Sequence, residues 1–233
     1  MTHRQQYVSG LRAGIPVILG FVPVGIAYAV MARQAGFSVW ETAGMSALVF
    51  AGASQMMAVG MYARGAGVIA MVAATCILNL RHLIMSACVM NRLKQDSVRM
   101  RLLAAFGVTD EAFAIFTIEK AEHASVWFFL GLLSVTYVSW VTGSVLGAAA
   151  VSFLPAALSA SLGIALYAMF LGLLVPSVRR NMRLGLLVVL TGIVNTVLSQ
   201  WIASGWALIL STLICAGVGI VFVDIEKPEE EQA

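Results

Sequence analysis

Hydrophobic residues occupy this chain in long, nearly unbroken runs separated by short polar punctuation. The runs lack the two-residue alternation of half-buried strands and are too long for buried ones, so they read as helices. A helix needs about 20 apolar residues to cross the hydrocarbon of a bilayer. By that measure the candidate segments are Gly14–Met31, Ala43–Tyr62, Gly65–Met90, Leu102–Ile118, Val126–Val151, Leu158–Val175, Leu184–Ile202 and Trp206–Val223. The third and fifth are long enough to tilt or break, and Asp110 and Glu111 interrupt the fourth. The longest polar stretch is Asn91–Arg101, and a short acidic tail over 224–233 closes the chain. The N-terminus, with His3, Arg4 and Arg12 before an apolar run, looks superficially like a signal peptide. Pro16 and Pro23 inside the run, and the many spans after it, predict a retained first helix.

Composition sharpens this picture. The chain is 61% hydrophobic and 11% charged, with a mean hydropathy of +0.94. Soluble domains are nearer 45–50% apolar and about 25% charged. A single soluble core of this size cannot bury the excess and still present a wetted surface. The expected fold is an all-α polytopic membrane bundle of six to eight segments, with discontinuous helices, forming one membrane domain over 1–233. Long unbroken runs exclude a β-barrel. The net charge of +3 does not indicate nucleic acid, because the cations sit at segment ends, where they set topology. Cys76, Cys88 and Cys215 match no metal spacing, the three histidines are scattered, and no metal or other cofactor is expected.

Orientation follows the cations. Arg4 and Arg12 place the N-terminus in the cytoplasm, Arg64 follows the second segment on the same side, and Arg179, Arg180 and Arg183 fix a later cytoplasmic loop. The C-terminal tail is then cytoplasmic as well. Arg92, Lys94, Arg99 and Arg101 resist this scheme: they lie outside if the third segment crosses fully, and inside if it is broken or re-entrant. A weak internal repeat, with halves of about 14–120 and 126–223, matches Val68–Leu80 with Leu184–Thr196, placing Asn79 opposite Asn195, and Ala43–Ser54 with Ala160–Gly172. Such duplication is common in transporters.

Polar groups inside a membrane are costly and mark function. In "FAGASQMM", Gly52, Ala53 and Ser54 allow close helix approach or local unwinding, and Gln55 is either a ligand contact or interhelical glue. In "ILNLRHLIMS", Asn79 is placed to cap a half-helix starting at Leu80, whose positive end would suit a carboxylate. Arg81 can grip a carboxylate in a bidentate fork, neutralise an acid elsewhere, or snorkel to the interface. His82 is a weaker proton-coupling candidate. In "GVTDEAF", Thr109 is placed to cap a break, and Asp110 and Glu111, about 100° apart on a helix, would face different ways. One acid would pair with Arg81 and the other would face a cavity and take up protons, unless the stretch is a surface loop between half-length helices. Trp127, Trp140, Trp201 and Trp206 suit an interfacial aromatic belt.

These clusters, with "GIPVILGFVPVGIAYAVMARQAGFS" over Gly14–Ser38 and then "FAGASQ", "LNLRHLIMS" and "TDEAF" in order, resemble the AzlC family, the large subunit of bacterial branched-chain amino-acid exporters. The resemblance implies an inner-membrane exporter of valine, leucine, isoleucine and also methionine. It implies a small AzlD-type membrane subunit supplied in trans, and no enzymatic activity. A zwitterion needs an anion site, a cation site and an apolar pocket. Arg81 and the end of the half-helix at Asn79 would serve the carboxylate, Asp110 or Glu111 the ammonium, and Phe50, Met56, Met57 and Phe113 the side chain. No P-loop pattern provides for ATP hydrolysis, so proton coupling is expected. The competing readings are a carrier or channel for another small solute, a membrane enzyme, which lacks a recognisable catalytic set, and a structural subunit.

Overall fold

The computed structural model describes residues 2–94, 96–119, 124–151, 171, 174–175, 178–179 and 181–222. Among these, nine helices and no strand occur: α1 His3–Gln34, α2 Val39–Val49, α3 Gly52–Ala63, α4 Val68–Arg92, α5 Val98–Phe106, α6 Asp110–Ile118, α7 Val126–Ala150, α8 Met182–Leu198 and α9 Ser204–Phe222. The chain divides into two compact units, Met1–Arg64 with Thr75–Tyr167 and Gly65–Ala74 with Ala168–Ala233. Most of the expected segment Leu158–Val175, its repeat match and the acidic tail lie outside the described residues.

The first unit is organised by α1 and α7. Both are long and apolar enough to cross a membrane, as is α4. The α1–α7 contact is lined by glycine. A Cβ on Gly10 would fall 1.9 Å from the Phe128 carbonyl oxygen, one on Gly131 would fall 2.1 Å from that of Tyr7, and one on Gly147 would fall 2.7 Å from that of Ile26. Only hydrogen fits at such positions, so the two backbones touch directly. The contacts advance in step, Tyr7 and Gly10 with 128–131 and Ile26 with Gly147, so the helices are parallel. The helix α1 starts on a capping box formed by Thr2 and Gln5 and runs through both Pro16 and Pro23.

Beside these parallel posts lie two helical hairpins. As one continuous rod, α2 and α3 would carry Phe37 and Tyr62 about 35 Å apart, yet their rings sit 5.0 Å apart. The chain therefore reverses at Phe50 and Ala51. Phe50 takes up the left-handed conformation at φ 46° and ψ 42°, at a cost of roughly 1–2 kcal/mol for a non-glycine residue. The second hairpin, α5–α6, reverses at Gly107–Thr109. Its return is fixed by Arg92 at the end of α4, whose guanidinium donates to the carbonyls of Phe116 at 2.9 Å, Thr117 at 3.0 Å and Glu119 at 3.1 Å. A cation suits the negative end of a helix. Phe116 in turn packs against Phe128 and Phe129 at the start of α7. The end of α4, the outer end of α5–α6 and the starts of α1 and α7 thus share one end of the unit. The α2–α3 hairpin enters from the opposite end, where Tyr28 donates to the Thr42 carbonyl and Arg33 to that of Phe37.

Three expectations change. The third segment is neither broken nor re-entrant: α4 is continuous, because nothing from Val68 to Arg92 is glycine or proline, and Asn79 caps no half-helix. The second segment reverses instead, so Arg64 lies at the end where α1 finishes, away from Arg4 and Arg12. That reversal brings Arg92, Lys94, Arg99 and Arg101 to the end that holds the N-terminus, which removes the charge conflict.

The side-chain distribution suits lipid. Large apolar groups such as Leu19, Leu48 and Ile84 are exposed, whereas Thr42, Ser46, Ser54, Gln55, Thr136 and Ser144 are buried. In the second unit α8 and α9 form an antiparallel pair, tied by Asn195 donating to Ser211 at 3.2 Å, with Gly219 against Leu187.

The glycine contact is directly testable. Gly131→Ala should lower the thermal unfolding midpoint in detergent, with a loss of about 1–3 kcal/mol from overpacking. Gly44→Ala, where nothing lies within 4 Å of the added carbon, should hold or slightly raise the midpoint, because alanine is the better helix former.

Candidate functional site

Each hairpin leaves backbone groups unpaired at its tip, and these must find partners in a low-dielectric interior. At the first tip the answer is Gln55, which is fully buried. Its amide oxygen accepts from the Ala51 N–H at 3.2 Å and from Trp140 Nε1 at 3.1 Å, and its amide nitrogen donates to Ser46 Oγ at 3.1 Å. Ser46 donates to Ser144 Oγ at 2.7 Å, and Ser144 donates to the Trp140 carbonyl at 2.9 Å. Tyr137 donates to the Ala47 carbonyl at 2.8 Å and covers the end of α2. Gly52 is required beside this network, because a Cβ there would fall 2.6 Å from the Trp140 ring. The start of α3, Gly52–Ser54, carries no side-chain cap.

The second tip is built differently. Thr109 caps α6 by accepting from the Ala112 N–H at 3.3 Å, as its position predicts. The break is buried rather than a surface loop, with Val108 and Thr109 both enclosed. Asp110 and Glu111 fill the first turn of α6, where acids complement the helix dipole. Ala104, Val108, Ala112 and Phe116 pack into an apolar core with Met85, Val89 and Leu132. Phe113 lies against that same core.

The helix α4 ties the tips together. Ser54 donates to Asn79 Oδ1 at 2.6 Å at the first tip. Two residues on, Arg81 Nη2 meets Asp110 Oδ2 at 3.0 Å at the second, with side chains 44% and 47% exposed. His82 meets the Val108 backbone, and the Glu111 carboxylate lies beside the Thr109 hydroxyl. The tips themselves touch: the rings of Phe50 and Phe106 stack 6.0 Å apart, and Tyr137 packs on both, at 5.1 Å and 5.9 Å.

The structure therefore gathers Gly52, Ser54, Asn79, Arg81, His82, Thr109, Asp110 and Glu111 where the two hairpins meet. It pairs Arg81 with Asp110, and gives Gln55 the role of interhelical glue. Phe50 is at the meeting point, whereas Met56 is buried in α3. Trp140 is a buried donor and not a belt residue. Sequence reasoning missed it together with Phe106, Tyr137, Ser46 and Ser144. The available signal was the spacing of Thr136, Trp140 and Ser144, one polar row at four-residue intervals along α7.

Truncating the glue should have a measurable cost. Gln55→Leu strands the Trp140 and Ala51 N–H groups, at about 1–3 kcal/mol for each unsatisfied group. A lowered unfolding midpoint, with altered tryptophan emission as the Trp140 indole loses its partner, is the expected result.

Comparison with known proteins identifies the family and several membrane-protein relatives. The family model described as AzlC protein matches residues 16–154. An uncharacterized membrane protein of Archaeoglobus fulgidus is 36% identical over 172 residues, covering 73% of this chain and 75% of that relative. Inner membrane protein YgaZ of Escherichia coli is 30% identical over 193 residues, covering 80% of this chain and 79% of YgaZ. The branched-chain amino acid transport protein AzlC of Bacillus subtilis is 26% identical over 153 residues, covering 63% of this chain and 60% of that protein. No solved structure matches the chain.

Proposed function

Because the chain belongs to the AzlC family, we propose that it exports branched-chain amino acids, valine, leucine and isoleucine, with methionine as a further substrate. In this reading it sits in the inner membrane, works with a small AzlD-type subunit, and draws on the proton-motive force. The name of the Bacillus relative supports the substrate class, and that of YgaZ supports the membrane.

One observation carries the reading: two half-membrane hairpins entering from opposite ends meet beside the Arg81–Asp110 pair. That pair mirrors the charges of a zwitterion. An amino acid entering between them exchanges one ion pair for two, its carboxylate on the Arg81 guanidinium and its ammonium on Asp110, without a net change of charge at the site. The uncapped start of α3 adds peptide N–H groups on the carboxylate side, the arrangement discontinuous helices give transporters. Ser54 and Asn79 supply further polar contacts. Glu111, adjacent to Asp110 and held by Thr109, is the proposed proton carrier, with His82 close by. Arg4, Arg12, Arg92, Lys94, Arg99 and Arg101, all associated with the end where α1 starts, support a cytoplasmic N-terminus.

The test is intracellular valine after feeding a valine-containing dipeptide, with and without this gene and that of its small partner. Loss of the pair should raise valine accumulation. Arg81→Gln and Asp110→Asn should each cut export about tenfold, the rate effect of roughly 1.4 kcal/mol. Full export by both variants would remove the ion pair from the site. Efflux that survives dissipation of the proton gradient would remove the coupling.

A further inference from the structure

We propose that Phe106 sets side-chain selectivity: its ring is the wall against which the apolar part of the transported amino acid is measured. The inference rests on the amino-acid transport reading above. The three aromatic rings at the hairpin tips are not equivalent. Phe50 is 4% exposed, sits on a left-handed turn and is enclosed by the other two rings. Tyr137 is anchored through its hydroxyl to the Ala47 carbonyl and cannot turn without uncovering the end of α2. Phe106 makes neither kind of attachment. It ends α5, packs on Phe50 and Tyr137, and remains 48% exposed.

Its place in the chain fixes its relation to the polar groups. Phe106 lies four residues before Asp110, and the Phe50 ring it stacks on lies two residues before the uncapped start of α3. A zwitterion held between Arg81, Asp110 and the start of α3 therefore has a large aromatic surface within reach of its side chain. Gly107, next to Phe106, packs against the Leu133 side chain, which a Cβ there would have to displace from 2.2 Å. The backbone carrying Phe106 is thus seated by packing, and the size of the wall depends on the residue at 106. Apolar walls of this kind discriminate by volume, at about ten- to two-hundredfold per methylene.

The experiment uses inverted membrane vesicles from cells producing the full chain and its small membrane partner. Initial uptake of labelled valine, leucine and methionine is measured separately. Phe106→Ala should raise the methionine-to-valine and leucine-to-valine ratios by about tenfold, mainly through KM for the longer substrates. Phe106→Trp should lower both ratios, and Phe106→Tyr should keep those of the wild type. Leu102→Ala, an exposed change on the same helix, should leave them unmoved. An equal fall for all three substrates in Phe106→Ala, or unchanged ratios in an active variant, overturns the inference while the transport reading stands. Wild-type vesicles that accumulate none of the three overturn the transport reading, and the inference falls with it.

Discussion

Backbone-to-backbone contact between α1 and α7 is the constraint on which the rest of the first unit depends. Apolar side chains alone cannot hold two helices together in lipid, because the surrounding tails are equally apolar. Glycine solves this by exchanging side-chain volume for close approach, at Gly10, Gly14 and Gly25 on one helix and Gly131, Gly143 and Gly147 on the other. The seam leaves two further faces of α7 free to work. Tyr137, Trp140 and Ser144 receive α2–α3, and the apolar surface around Phe129 and Leu132 receives α5–α6. One helix thus positions both hairpins, and with them Phe106, Asp110 and the start of α3, while Asn79 and Arg81 come from α4.

The two hairpins satisfy the same requirement by different means. Both reverse direction inside the unit and so expose backbone that water cannot reach. The first is held by directional hydrogen bonds through Gln55, Ser46 and Ser144. The second relies on apolar packing along its length, with charge used only at its ends, Arg81 inside and Arg92 outside. Hydrogen bonds fix position sharply, whereas apolar contacts tolerate sliding. Any rearrangement that opens the meeting point therefore costs less through α5–α6 than through α2–α3.

Much of this was legible in the sequence, and the failures have physical causes. Long apolar runs pointed to the helical membrane class, and the polar clusters at 52–55, 79–82 and 109–111 marked residues that the fold gathers where the hairpins meet. Thr109 announced its cap, and pairing between Arg81 and one of the acids followed from the cost of burying charge. Hydropathy is blind to direction, however: a run of 20 apolar residues reads the same whether it crosses or turns back. Hence Ala43–Tyr62 reads as a crossing, and the cations at 92–101 conflict with that reading without saying which segment turns back. Asn79 was misread because a helix-capping residue and a side chain bonding to a neighbouring helix have the same composition. Gln55 resolved as glue only once Trp140 was found within 3.1 Å. That pairing spans 85 residues, beyond the reach of local pattern.

The same long separations govern how the protein is made. Ser46 and Gln55 leave the ribosome well before Ser144 and Trp140, their partners 98 and 85 residues downstream. Until α7 is synthesised, α2–α3 has no polar lodging and is too short to span the bilayer twice. The early product is therefore a helix followed by an unhoused apolar loop, and the hairpin can settle only after the third long helix is in place. Biogenesis of this fold must then be concerted rather than segment by segment, with translocon or insertase shielding α2–α3 in the interval.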